Sequence, residues 1–299
     1  MTVIGFAGLG RMGRPMCANL VRAGYPVVAT DLRPECEQLA HSLGAQWSAS
    51  TEATATRADV LITMLPGPAE VHDALLGAGG GLAALAPGAT WIDMSSSSPD
   101  AAEPIQRLAR ERGVHTLEAP VGGGIPAARD GSLQLFAAGD AAVFASQRPL
   151  LEVLGDPART HHLGPHGAGY TAKLLVNLLW FGQAIAAGEA LLLARAAGLD
   201  LRVLHEVLNS SSAASTFLRR DLAALLTGDY LESFGLDRIC EELGALDAMA
   251  RAHGVPFELS DLVSRTHQRA LRHFGPRDGE LLAVALLEEQ AGTQLRYDR

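Results

Sequence analysis

The chain has 299 residues, 48% of them hydrophobic and only 19% charged, and a net charge of −9 from 33 acidic against 24 basic side chains. That length allows one large α/β domain or two domains, and the composition excludes disordered, collagen-like and coiled-coil chains. Acidic charge spread along the chain, with no basic stripe, excludes a nucleic-acid partner.

In chain order, β-like and helix-like runs alternate through the first half: residues 3–8 and 11–23, 26–30 and 34–43, 60–64 and 69–76, 90–94 and 100–112. This alternation predicts βαβ units on a parallel sheet. Further strands are expected at 114–118, 133–138 and around 160–163, with a helix over 141–153, and a doubly wound sheet is the simplest arrangement. The glycine-rich stretch 77–81 lacks the Lys-Ser/Thr of a phosphate loop and reads as a connection. Apolar residues then recur at helical spacing over 172–197 and stop at Gly198. At ~1.5 Å per residue such a helix is roughly 40 Å long, enough to join or span two domains. Its stretch 174–193 is interrupted by Asn177, Gln183 and Glu189, too polar for a lipid-facing span. Segments 201–208, 217–227, 236–252, 259–274 and 280–289 are helical in character, so the expected domains are residues 1–163 and 164–299, divided at Gly164-Pro165.

Gly8-Leu9-Gly10-Arg11-Met12-Gly13 closes the first strand and opens the first helix, the context a dinucleotide fingerprint requires. The first glycine permits the tight turn, the second lets a pyrophosphate approach the backbone, and the third lets the helix pack on the strand. The helix N-terminus offers N–H groups and positive dipole to the phosphates. Asp31 ends the second strand 23 residues after Gly8, where a carboxylate accepts hydrogen bonds from ribose hydroxyls and repels a 2′-phosphate. NAD is therefore expected as cofactor, while Arg33, able to pair with a 2′-phosphate, keeps NADP open.

Chemistry is expected outside the carboxyl ends of the strands. Ser95 and Ser96 offer hydroxyls and N–H groups for a ribose or a carboxylate, and equally fit a loop and helix start before Pro99. Gly122-Gly123-Gly124 fits a backbone nest around an anionic group of the substrate, or a flexible turn. Lys173 and Asn177, four apart, project from one face of the long helix. An amine in so apolar a segment can be partly desolvated, its pKa lowered toward working range, and can take a hydroxyl proton as hydride leaves carbon. Asn177 would orient the lysine or bond the substrate oxygen. Taken alone, the pair also fits a snorkelling lysine and an asparagine that satisfies backbone.

The fingerprint with Met12-Gly13 and Met16, the turn Met64-Leu65-Pro66, the D-x-S-S-x-x-P segment from Asp93, Ala119-Pro120-Val121, and Lys173-x-x-x-Asn177 stand in order at spacings that resemble the β-hydroxyacid dehydrogenase family over essentially the whole chain. The resemblance implies an α/β Rossmann-type N-terminal domain, a long interdomain helix and an all-α C-terminal domain. It implies hydride transfer between NAD(H) and a small 3-hydroxy acid or its semialdehyde, with Lys173 as general acid/base. The implied cofactor-binding residues are Gly8 to Gly13, Asp31, Leu32, Arg33, Met64, Leu65, Pro66, Ser96 and Glu241. Substrate would be held by Ser95, Gly122, Gly123, Gly124, Lys173 and Asn177.

Two departures stand out. Family members commonly carry Ser-Gly-Gly where this chain has Gly122-Gly123-Gly124, so a hydroxyl for the substrate carboxylate is absent. A usual Lys-Asp pair appears as Glu241-Glu242, which puts an anion where a cation stands near the cofactor, with Arg238 one turn earlier as the candidate to compensate. These departures motivate an alternative, a reductase of a non-carboxylate aldehyde or imine; a nicotinamide-binding module with little turnover is a third reading.

Three scattered cysteines without a CxxC (Cys17, Cys36, Cys240) point to neither disulfides nor zinc and fit a reducing cytoplasm. The start of the chain enters a strand-like run rather than a signal peptide. His161, His162 and His166 lack matching ligand spacing, so no metal is expected. The expected partners are a small-molecule substrate and a second copy in a homodimer or homotetramer, with no membrane.

Overall fold

Four-residue apolar runs bounded by glycine, proline or aspartate are too short for helices and form buried strands in the computed structural model, which describes residues 1–297. The elements of the first compact unit, Met1–Lys173, follow one another as β1 (Ile4–Ala7), α1 (Gly13–Arg22), β2 (Val27–Thr30), α2 (Cys36–Ser42), β3 (Gln46–Trp47), α3 (Thr51–Ala55), β4 (Val60–Thr63), α4 (Pro68–Leu76), β5 (Thr90–Asp93), α5 (Pro99–Glu111), β6 (His115–Glu118), β7 (Val121–Gly122), α6 (Gly124–Asp130), β8 (Leu133–Gly139), α7 (Ala141–Leu154) and β9 (Gly155–His162). The helix α8 (Ala168–Ala196) begins in this unit and continues into the next.

Strands β3-β2-β1-β4-β5-β6 are parallel in that order, the Rossmann arrangement, and β8 and β7 extend the sheet antiparallel, with β9 paired to β8. Crossover helices cover both faces, so β1, β2, β4 and β5 are buried at every residue instead of alternating. Ile4, Phe6, Val27 and Ile92 pack with Met16, Cys17 and Leu20 of α1 on one face, and Leu61 and Trp91 pack with Val71, Leu75, Ile105 and Ala109 on the other. Burial pushes the Cys17 thiol up to about 12, which makes it a core side chain and not a nucleophile. Asp140 and Ser98 start α7 and α5 by accepting hydrogen bonds from first-turn N–H groups.

The expected elements of the first unit are present. The structure adds β3, α3, β7 and α6, pieces of two to seven residues that are too short to show a period. It also starts β9 at Gly155, earlier than expected.

The second compact unit begins at Leu174, later than the expected division at 164, because the first turns of α8 are bonded to the sheet of the first unit. It contains α9 (Leu201–Ser210), α10 (Thr216–Arg220), α11 (Leu222–Thr227), α12 (Leu236–His253), α13 (Glu258–Phe274) and α14 (Leu282–Ala291). The single helix expected over 217–227 is broken at Asp221, whose carboxylate accepts from Trp180 Nε1 at 2.8 Å. By length and composition α8 could cross a membrane, but Leu174, Leu178, Phe181 and Ile185 lie in the core of this unit with Leu236, Leu243 and Leu286. Leu295 and Arg296 are pinned at Glu288, which is 3% exposed and accepts from Arg296 Nη1 at 3.0 Å, Leu295 N–H and the Tyr230 hydroxyl.

Candidate active site

The first-unit site starts from three glycines. Gly8 has φ +105°, a conformation open to glycine, and a Cβ there would lie 2.3 Å from the Met64 carbonyl oxygen. A Cβ at Gly13 would lie 1.9 Å from the Gly8 oxygen, so any side chain would pry α1 off the turn. Gly10 has nothing within 4 Å of its added Cβ. The turn is thus closed toward the protein and open at Gly10, above the N-terminus of α1, which is where a pyrophosphate fits. These residues suit a dinucleotide.

Asp31, at the end of β2, accepts from Leu9 N–H at 2.8 Å and from Arg33 through its backbone N–H at 3.0 Å and its guanidinium at 2.9 and 3.0 Å. Burial alone would raise its pKa, but the hydrogen bonds from Arg33 and Leu9 outweigh it and hold the carboxyl below its ordinary range. Arg33 therefore lies on Asp31, and Leu32 beside it is fully open to solvent.

Thr63, Asp93 and Glu118 end β4, β5 and β6 side by side in register. Asp93 Oδ1 accepts from Thr63 Oγ1 at 2.8 Å and Ser95 N–H at 3.1 Å, and Oδ2 accepts from the Tyr170 hydroxyl at 2.7 Å. Trp91 Nε1 donates to Thr63 Oγ1. Glu118 takes the N–H groups of Gly167 and of Tyr170, the latter at 3.0 Å, and so caps α8 from another element. Burial pushes both carboxyls up, against these donors, which favour the anions. Ser95, expected on the substrate, is fully buried, and its hydroxyl accepts from Leu65 N–H at 2.9 Å. Its hydroxyl fastens the end of β5 to the Met64-Leu65-Pro66 turn. Ser96 is half-buried.

Gly122 faces Gln134 across the β7–β8 pair, and Gly123 (φ +107°) turns the chain into α6. Where a side chain would stand on Gly122, the neighbours are Phe136 and Gln134, and Gln134 Oε1 accepts from Arg159 at 3.1 Å. Lys173 is half-buried, three residues past Tyr170 on α8. In the second unit, Asn177 Nδ2 donates to Glu242 Oε2 at 2.7 Å. Glu241 is more than half exposed and paired with Arg238 at 3.0 Å, so at this pair the arginine offered as compensation meets the very anion it was to offset. His162 and His166 bond to Gly139 O and Thr116 respectively. Sequence reasoning missed Tyr170 and Glu242 as partners and quoted Asp93 only as part of its segment; a polar residue closing an apolar strand is the signal that points to Asp93.

Residues 3–164 match the family model described as the NAD binding domain of 6-phosphogluconate dehydrogenase, and residues 167–287 match that of the NAD-binding region of NADP-dependent 3-hydroxyisobutyrate dehydrogenase. The chain belongs to the β-hydroxyacid dehydrogenase family. It is 34% identical over 286 residues to the NAD-dependent L-serine dehydrogenase of Pseudomonas aeruginosa, covering 93% of this chain and 95% of that one. It is 40% identical over 215 residues to 3-hydroxyisobutyrate dehydrogenase of the same organism, covering 72% of each. A solved Mycobacterium tuberculosis 3-hydroxyisobutyrate dehydrogenase with L-serine superposes with a TM-score of 0.84 at 29% identity, covering 96% of this chain and 99% of that one. As a β-hydroxyacid dehydrogenase, the chain takes NAD(P) as cofactor.

Proposed function

We propose that the protein interconverts a small 3-hydroxy acid and its semialdehyde, with Lys173 as general acid/base and NAD favoured over NADP. Bound on the Gly8–Gly13 turn, the nicotinamide dinucleotide supplies the hydride acceptor or donor. Lys173 takes the hydroxyl proton as hydride leaves carbon and returns it in the reverse direction, a contribution of about 10²–10⁴ in rate. Asn177, held by Glu242, orients the amine or the substrate oxygen. Asp31 receives the adenosine ribose, and its charge disfavours a 2′-phosphate.

The observation that carries this reading is the placement of Lys173 on α8 directly after the turn bonded to the strand ends of the dinucleotide unit. Likeness to serine and 3-hydroxyisobutyrate dehydrogenases over most of the chain supports an acid substrate over an aldehyde or imine without carboxylate. The test follows nicotinamide absorbance with NAD and NADP on 3-hydroxyisobutyrate, L-serine, short semialdehydes and cyclic imines. Turnover of a 3-hydroxy acid with NAD at least tenfold better than with NADP is expected. Turnover of imines alone, or none despite cofactor binding, overturns the reading.

A further inference from the structure

Two carboxylates buried at the ends of adjacent strands need a reason, because burial disfavours their charge. Asp93 is 1% exposed, and Glu118 and Tyr170, whose side chain links Asp93 to α8, are equally withdrawn from water. Their bonds form one continuous path. Leu65 N–H donates to Ser95 Oγ, Ser95 N–H donates to Asp93 Oδ1, and Asp93 Oδ2 accepts the Tyr170 hydroxyl. Glu118 meanwhile grips the backbone of the same helical turn at Gly167 and Tyr170. Gly169 completes the contact, since a Cβ there would lie 2.3 Å from the Phe136 carbonyl oxygen. Nothing in hydride transfer requires a tyrosine that is fully buried and three residues before the lysine. Burial, with Asp93 and Glu118 beside it, also pushes the Tyr170 pKa well above its ordinary value, so the phenol stays a donor.

We infer that Asp93 and Tyr170, with Glu118, are positioning residues: a buried strut that fixes the first turns of α8, and with them the Lys173 amine, against the turn after β4 and the end of β5. The strut rests on the proposed role of Lys173. It sets the lysine by a side-chain bond to the sheet, so that the helix cannot rotate or slide without breaking the Asp93–Tyr170 bond. The effect falls on proton transfer, because the two residues varied, Tyr170 and Glu118, bond to the first turn of α8 and to the sheet, and belong to neither the Gly8–Gly13 turn nor the Met64-Leu65-Pro66 turn.

The experiment compares Tyr170→Phe, which removes one hydroxyl and keeps the ring, with Glu118→Gln and Lys173→Ala. It reads kcat, KM, NAD affinity and the thermal midpoint, together with amide hydrogen exchange over residues 168–173 of the cofactor-free protein. Tyr170→Phe and Glu118→Gln are expected to lower kcat about tenfold and speed that exchange about tenfold, with KM and NAD affinity within twofold of the parent. A Tyr170→Phe kcat within twofold of the parent, while Lys173→Ala is inactive, overturns the strut and leaves the lysine reading standing. Equal losses in kcat and NAD affinity with a fallen midpoint overturn it too, since they show a merely structural role. Full activity in Lys173→Ala overturns both.

Discussion

The two units bury polar groups in different patterns. In the first, Thr63, Asp93 and Glu118 stand in a lateral row at the carboxyl ends of the strands, satisfied by hydroxyl and N–H donors. In the second, Glu242, His267 and Glu288 are scattered over three helices, each tied to its own partner. A parallel sheet aligns the ends of its strands, so one position per strand makes a shared polar surface. Helices packed by ridges and grooves have no such common edge. On the proposed reading the row serves the site as a unit, whereas in the second unit Glu242 alone of the three groups bonds to a residue assigned to the site.

Substitutions that hit one unit sharpen that contrast. Lys173→Ala is expected to lower kcat by about 10²–10⁴ with NAD affinity and urea midpoint unchanged, read by steady-state kinetics, titration and denaturation.

His267 tests the second unit. Burial pushes its pKa down to about 4, against a bond to the Val263 carbonyl that favours the cation. The unfolded chain, with an imidazole near its ordinary value of about 6.5, then takes up the proton first as pH falls. Stability is full above that value and drops by about 3 kcal/mol on the way to the folded value, flattening below it. Urea unfolding of the parent and His267→Leu from pH 7.5 to 4 should show this slope in the parent alone.

Arg296→Met leaves Glu288 buried without its guanidinium. Breaking a buried pair costs about 3–5 kcal/mol, and partial exposure of Arg296 reduces this to about 2 kcal/mol. Urea unfolding should register the loss with no change in NAD affinity; a change there would break the contrast. The smallest effect is expected of Asp31→Asn, which keeps hydrogen bonding but loses the charge: about tenfold weaker NAD binding, about 1.4 kcal/mol, with a narrowed preference over NADP by fluorescence titration.

Much of the first unit was legible because backbone geometry dictates residue type: Gly8 and Gly13 stand where a Cβ would collide, and Asp31 ends its strand beside them. Helical spacing puts Lys173 and Asn177 on one face of α8, and the role proposed for them comes from the family resemblance. Tyr170 was not, because its partner lies 77 residues away and no local period encodes such a pair, and Glu242 meets Asn177 across 65. Ser95 was legible as a strand-end serine, but the direction of its hydroxyl depends on the Leu65 turn. Asp221 broke an apparently single helix because apolar spacing runs through it while its carboxylate is drawn to Trp180. In each miss a side chain answers to a remote partner.

The proposed reaction passes hydride directly from a 3-hydroxy acid to NAD in a site that relies on Lys173. It is tested most directly with 3-hydroxy acid deuterated at the hydroxyl-bearing carbon, following the label by mass spectrometry. One deuterium is expected on the recovered nicotinamide ring with the parent, and a rate at least about a hundredfold lower with Lys173→Ala. Label lost to water, or equal transfer by the two proteins, would contradict it.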